Sequence, residues 1–173
     1  MKATLVGLLL SAFVLSATAV TQNLPQLVSY NEMNKEWQRQ VTCLAENIYF
    51  EAAAESLLGK AAIAFVTLNR VMSGIFPNTI CGVVQQKTNG VCQFSWYCDD
   101  RLLRKRYQIK KTTLYKEIVD LSIEIITYHK VLDDVTRGAL FFHNKTVDPK
   151  WKLQKTVQIG NHVFYNHRSR HYN

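Results

Sequence analysis

The sequence has no internal repeat, no low-complexity tract and, after its first twenty residues, no apolar run long enough to cross a bilayer. Those absences exclude a repeat array and a chain with several membrane spans. A P-loop, a G-x-G-x-x-G turn and an H-E-x-x-H pair are also missing, so three common phosphate, dinucleotide and zinc-peptidase signatures do not apply. No two of the four cysteines stand at the C-x₂₋₄-C spacing of a structural zinc site, and His162 and His167 are spaced too loosely for a compelling metal pair. Charge is scarce as well, at 20% of residues, and acidic charge most of all: 13 Asp and Glu against 21 Lys and Arg. So small a charged fraction, with apolar residues recurring throughout, argues against disorder.

What is present is one domain's worth of chain, 173 residues of which 47% are hydrophobic and 11% aromatic, enough to bury a core. Its first twenty residues read as an export signal. Lys2 is the basic n-region, Leu5 to Leu15 the apolar h-region, and Ala17-Thr18-Ala19 an A-x-A cleavage site. An uncleaved anchor is the alternative, since the stretch approaches the roughly 20 residues a span needs. Cleavage near Ala19 removes Lys2 and takes the net charge from +8 to +7. A basic surface suits nucleic acid, anionic lipid or the acidic groups of a bacterial wall, but it equally serves plain solubility.

Export agrees with the cysteines. Cys43, Cys81, Cys92 and Cys98 all follow the signal, and an even number in an oxidising compartment points to disulfides. Three pairings are open; Cys92 with Cys98 closes a short loop and leaves Cys43 with Cys81, and this is the preferred set.

Periodicity predicts a helix over Glu36 to Ala54 with Leu44, Ile48 and Ala52 on one stripe, a break at Ser56 to Gly59, and a buried helix over Lys60 to Met72. A turn at Phe76 to Thr79 follows. Asn89-Gly90 then predicts a hairpin between Val83-Val84-Gln85 and Val91 to Phe94. Beyond a basic segment at Arg101 to Lys111, an amphipathic helix carries Leu114, Ile118, Leu121, Ile125, Tyr128 and Leu132. A short strand at Ala139 to Phe142 and a hairpin of Thr156 to Ile159 with His162 to Tyr165, turning at Gly160-Asn161, end the chain. Helices first and hairpins later give a single α+β domain.

Two segments suggest chemistry. Glu51, near the end of the first helix among Tyr49, Phe50 and alanines, is placed for partial desolvation, which raises a carboxyl pKa toward that of a general acid. Glu55, four residues on, is expected on the same face as a second carboxylate or a hydrogen-bond support. On this segment alone the plainer reading, a surface helix with two solvated glutamates, prevails. The run Cys92 to Asp99 alternates aromatic and polar side chains, so that Phe94 and Trp96 offer faces to sugar rings while Gln93, Ser95 and Asp99 offer hydrogen bonds. A stapled hairpin with no ligand explains it equally well.

Ordered blocks decide between these readings. Cys43-Leu44-Ala45 to Phe50-Glu51-Ala52, Gly59-Lys60-Ala61-Ala62 to Leu68-Asn69-Arg70-Val71, Phe76 to Val83, Cys92 to Trp96, Gly138 to Asn144, Pro149-Lys150-Trp151 and Ile159 to Tyr165 together resemble SleB-type cell wall hydrolases, from about residue 41 to 166. The resemblance implies a lysozyme-like α+β fold, a helical lobe and a small β-hairpin lobe flanking a groove for the glycan. It also implies cleavage between N-acetylmuramic acid and N-acetylglucosamine, in lytic transglycosylases with a 1,6-anhydro end. The family's catalytic glutamate, first of a Gly-Glu-Ala-Arg-Gly-Glu motif, falls on Glu51 and the second on Glu55. His143 joins the candidate substrate contacts. Phe50, Ala53 and Ala54 replace the motif's first Gly, its Arg and its second Gly, so the motif's own cation is missing here.

The resulting expectation is a signal over 1–19, a lead-in over 20–40 and a catalytic domain over 41–173. The protein is expected to be monomeric and secreted or periplasmic, to act on peptidoglycan glycan strands, and to need no cofactor, metal or nucleic acid. Two other readings compete. One is a wall-binding module of the same fold with weakened catalysis, motivated by Ala53. The other is a nucleic-acid or membrane-surface binder working through Arg101 to Lys111.

Overall fold

Asn34 stands at the start of the first long helix. Its side-chain oxygen accepts from Trp37 N at 2.9 Å and opens helix α1 (Lys35–Ala52). The computed structural model describes residues 26–167, so the expected signal and the first part of the lead-in lie outside the described residues. The rest of the lead-in holds a turn of 3₁₀ helix at Tyr30–Glu32 and the start of α1.

Val41, Leu44, Ala45, Ile48 and Ala52 of α1 are buried, so the stripe foreseen in the sequence is the core seam. Helices α2 (Leu57–Met72), α3 (Ile80–Val84) and α5 (Thr113–Tyr128) pack around it. Three polar residues of α1 are buried with them, Gln40, Glu46 and Asn47, and the last two build networks. Glu46 receives Arg106 at 2.5 Å and Lys110 at 3.2 Å from helix α4 (Asp100–Ile109) and its C-terminus. Asn47 donates to Thr67 Oγ1 at 3.1 Å and accepts from Trp96 Nε1 at 2.9 Å. Together these contacts tie α1 to α2, α4 and the 3₁₀ turn at Ser95–Cys98.

Helix α2 starts at Leu57, three residues before the sequence-based boundary, because Ser56 Oγ accepts from Gly59 N and caps it. The strand expected at Val83-Val84-Gln85 is instead the end of α3. Thr79 caps that helix through Gly82 N at 3.0 Å, and a disulfide from Cys81 to Cys43 holds it on α1. The hairpin therefore shrinks to β1 (Lys87–Thr88) and β2 (Val91–Cys92), with Asn89 and Gly90 at φ 52° and 81°, the signs a type I′ turn needs. The second disulfide joins Cys92 and Cys98, so the preferred pairing is the one formed. Helix α5 stops at Tyr128, and Leu132, expected on its stripe, lies beyond it and is exposed.

The remaining strands form an antiparallel sheet in the order β3 (Phe141–Asn144), β5 (His162–Asn166), β4 (Gln154–Ile159). Ala139 and Leu140, expected in the first of these strands, instead anchor its approach to α2. Asn69 Nδ2 donates to Ala139 O at 3.1 Å and to Asp134 Oδ2 at 2.8 Å, and Arg70 Nε donates to Leu140 O at 2.7 Å. Phe164 and Ile159 join the helical core, and Phe142 lies 6.3 Å from Phe94. The result is the expected α+β arrangement, a helical body with small antiparallel sheets. No helix among the described residues is long and apolar enough to cross a membrane.

Candidate active site

Glu51 sits in the last turn of α1, partly buried. Removal of water from around its carboxyl favours the neutral form and pushes the pKa up to about 7; the positive charge of Arg70 pulls the other way and only partly offsets it. Its neighbours along the chain are packed aromatics. Phe50 stacks on Trp96 with ring centres 4.6 Å apart, and Tyr49 meets Phe50 edge-on at 5.6 Å.

Arg70 is the residue that the sequence reading passed over. It is 4% exposed, and its guanidinium carbon lies 5.0 Å from the Phe76 ring, 5.1 Å from Phe94 and 6.0 Å from Phe141. Burial pushes its pKa down to about 10, and the carboxylate of Glu51 works against that shift. Nε is used by Leu140 O, while Nη1 is buried without a hydrogen-bond partner among the described residues. A buried, incompletely satisfied cation beside a desolvated carboxyl stabilises that carboxyl's charged form when it arises. Arg70, on α2, is thus a positive charge that acts on Glu51. The only trace of this in the sequence was the match over Leu68-Asn69-Arg70-Val71, which gave no role to Arg70.

Glu55 does not share the face of Glu51, because α1 ends at Ala52. Its Oε1 accepts from Asn161 Nδ2 at 2.8 Å and its Oε2 from Asn161 N at 3.3 Å, tying the α1–α2 junction to the β4–β5 turn. Lys60 Nζ also donates to the Glu55 carbonyl. A Cβ at Gly160 would stand 2.0 Å from Glu55 Oε2, so a side chain there would have to displace that carboxylate. Close by, His162 is buried edge-on to Phe142, and its burial holds the imidazole pKa below the usual value against the opposing charge of Glu55.

The aromatic loop divides in two. Phe94 and Trp96 are buried at 2% and 3% exposure, so they wall the site from within and present no open face to a sugar. Gln93 and Ser95 are exposed. Asp99 caps α4 by accepting from Arg101 N at 2.9 Å. Its hydrogen bonds from the Arg101 side chain and backbone hold its pKa down near 2, leaving it no proton to give at neutral pH. His143, on β3, stacks on Tyr165; Nδ1 is bonded to Asn144 O at 2.9 Å and Nε2 to the Tyr165 hydroxyl at 3.0 Å.

Comparison with known proteins matches residues 54–165 to a family described as Cell Wall Hydrolase; Glu51 lies just before the matched stretch. The chain is 31% identical over 150 residues to a spore cortex-lytic enzyme of Bacillus cereus, covering 85% of this chain and 52% of that one. It is 37% identical over 145 residues to that of Oceanobacillus iheyensis, covering 82% and 44%. The chain thus spans about half the length of the curated relatives it matches. Among solved structures, it resembles the catalytic domain of the germination-specific lytic transglycosylase SleB from Bacillus anthracis with TM-score 0.56 and 26% identity, over 79% of this chain and 98% of that one. The B. cereus SleB catalytic domain follows at TM-score 0.54 and 26% identity, over 75% and 91%.

Proposed function

Because the chain belongs to the cell wall hydrolase family, we propose that it is an exported peptidoglycan-cleaving enzyme in which Glu51 is the general acid, acting between N-acetylmuramic acid and N-acetylglucosamine as a lytic transglycosylase. The observation that carries this reading is the desolvated Glu51 carboxyl, with a pKa near 7, beside the buried cation of Arg70. Protonated Glu51 gives its proton to the glycosidic oxygen as the bond to muramic C1 breaks and positive charge develops on the ring. Arg70 offsets the charge left on Glu51. The muramic 6-hydroxyl oxygen then bonds to C1, and Glu51 takes up the hydroxyl proton, which restores the acid and leaves a 1,6-anhydro end.

Three other carboxylates are already engaged within the fold. Glu55 is held by Asn161, Asp99 caps α4, and Glu46 is enclosed by Arg106 and Lys110. A route that needs no second carboxylate agrees with that inventory better than one with a second carboxylate as base or nucleophile. Arg70 also weakens the motive for a catalytically impaired binding module, since Glu51 has a cation acting on it despite the loss at Ala53. Export is supported by the two disulfides, which persist in oxidising compartments.

The test is mass spectrometry of fragments released from purified sacculi. The wild type should release anhydro-ended muropeptides, and Glu51→Gln should lose activity by roughly 10²–10⁴-fold while remaining folded. A fully active Glu51→Gln protein would remove Glu51 from the mechanism. Reducing ends in place of anhydro ends would assign the attack to water.

A further inference from the structure

The loop that the sequence offered as a sugar platform is buried, but another aromatic surface is open. On the three-stranded sheet, Phe142 and Phe164 pair across β3 and β5 and pack toward the core. The alternate residues Phe141, His143 and Tyr165 face the other way. Trp151, from the β3–β4 connection, lies across these three rings at 6.2, 5.4 and 5.7 Å, near edge-on to each, and remains 41% exposed. Asp148 Oδ1 accepts from Lys150 N at 3.1 Å, and Lys150 is held at φ 54°, an unfavourable conformation for a lysine, immediately before the tryptophan. The indole is therefore fixed in position and yet wet.

Its charged surroundings have one sign. Lys145, Lys150, Lys152 and Lys155 are all exposed on this segment, and its one acid, Asp148, is already paired with Lys150 at 2.5 Å. A chain of packed side chains links this surface to the candidate site. Phe141 touches Trp151 on one side and lies 6.0 Å from the Arg70 guanidinium on the other, and Arg70 is the cation that acts on Glu51.

We propose that Trp151 and its flanking lysines form a glycan subsite: the indole stacks on the apolar face of an amino-sugar ring, and the ammonium groups pair with the carboxylate of a muramic unit. This rests on the reading that the substrate is a wall glycan, and it adds where the strand is held and which sugar is preferred. Rings with an open face bind sugars through apolar contact, while exposed lysines add attraction that salt screens.

The experiment measures binding in a Glu51→Gln background, where no ligand is consumed. Two soluble probes are used: chito-oligosaccharides, which are neutral, and peptidoglycan glycan strands stripped of their stems, which keep one lactyl carboxylate per muramic unit. Adding Trp151→Ala should weaken binding of both by about tenfold, in line with the loss of one stacked aromatic contact. Trp151→Phe should restore most of that loss. Replacing Lys145 and Lys152, whose ammonium groups are not held by Asp148, by alanine should weaken only the muramic probe, and added salt should erase the difference. Equal affinity with and without Trp151, or no binding of either probe before it is changed, overturns the subsite. Whether Glu51→Gln still cleaves sacculi is read separately and bears only on the acid.

Discussion

Glu51 and Arg70 make opposite demands on one another, and pH separates them. A general acid must hold its proton, so kcat/KM on sacculi should fall as pH rises through about 7, the pKa that burial gives Glu51. Arg70 lowers that pKa; Arg70→Met should therefore move the descending limb to higher pH, which a rate profile between pH 5 and 9 would reveal. Arg70→Lys should keep the limb nearer its original place and lose stability, since lysine cannot reproduce the planar donor at Leu140 O. An unmoved limb in Arg70→Met would show that the two charges do not meet. The same shift has a stability consequence. The folded state holds the Glu51 proton more tightly than the unfolded chain, whose carboxyl titrates near the ordinary value of 4.5. This contribution to stability is full below that value and drains away as pH rises through about 7. Glu51→Gln, which never ionises, should be more stable than the wild type at pH 8 by on the order of 1–3 kcal/mol and indistinguishable from it near pH 4, as read by urea unfolding. Equal stability at pH 8 would mean that the carboxyl is solvated.

Between elements, the junction of α1 and α2 is locked to the β4–β5 turn by a single carboxylate. Gly160 has φ 57°, and an alanine there would meet Glu55 Oε2 at 2.0 Å. Gly160→Ala should therefore expel Glu55 from Asn161 and destabilise the fold by roughly 2–4 kcal/mol, from backbone strain and lost hydrogen bonds together. Adding Glu55→Ala should relieve the clash, so that the double variant loses less than the sum of the single ones; an additive cycle would exclude the contact. This lock also marks what local sequence can and cannot reveal. The stripe Leu44–Ile48–Ala52, the apolar circumference of α2 and the Gly160-Asn161 turn were legible because each is written within a few residues. Val83-Val84-Gln85 was misread as a strand because so short an apolar run does not distinguish strand from helix; its cap at Thr79 and its bridge to Cys43 decide the matter. The partner of Glu55 lies 106 residues away, and Arg70 reaches Leu140 over a separation of 70, so no local pattern could announce either role. Likewise, alternation placed Phe94 and Trp96 in one loop with Gln93 and Ser95. Only packing against Phe50 and Arg70 turned those two rings inward.

Across the whole molecule the two disulfides do different work, and they can be told apart. Cys43–Cys81 closes a loop of 38 residues and joins two core helices, whereas Cys92–Cys98 closes one of 6. By the loop-closure relation the first restricts the unfolded chain by about 4 kcal/mol and the second by about 2 kcal/mol. Replacing Cys43 and Cys81 by alanine should therefore lower the urea midpoint more than replacing Cys92 and Cys98. Activity should rank them the other way, because the short loop carries Phe94 and Trp96. Those rings stack on Phe50 and on Arg70, and so keep water from Glu51. Loosening them rehydrates the carboxyl and lets its pKa drop toward the ordinary value. The descending limb of the pH profile should then move to lower pH in Cys92→Ala/Cys98→Ala. It should stay in place in Cys43→Ala/Cys81→Ala at temperatures where that variant is still folded. If the limb holds at about 7 without the short bridge, the helical core alone desolvates Glu51, and the stapled loop has no part in tuning the acid.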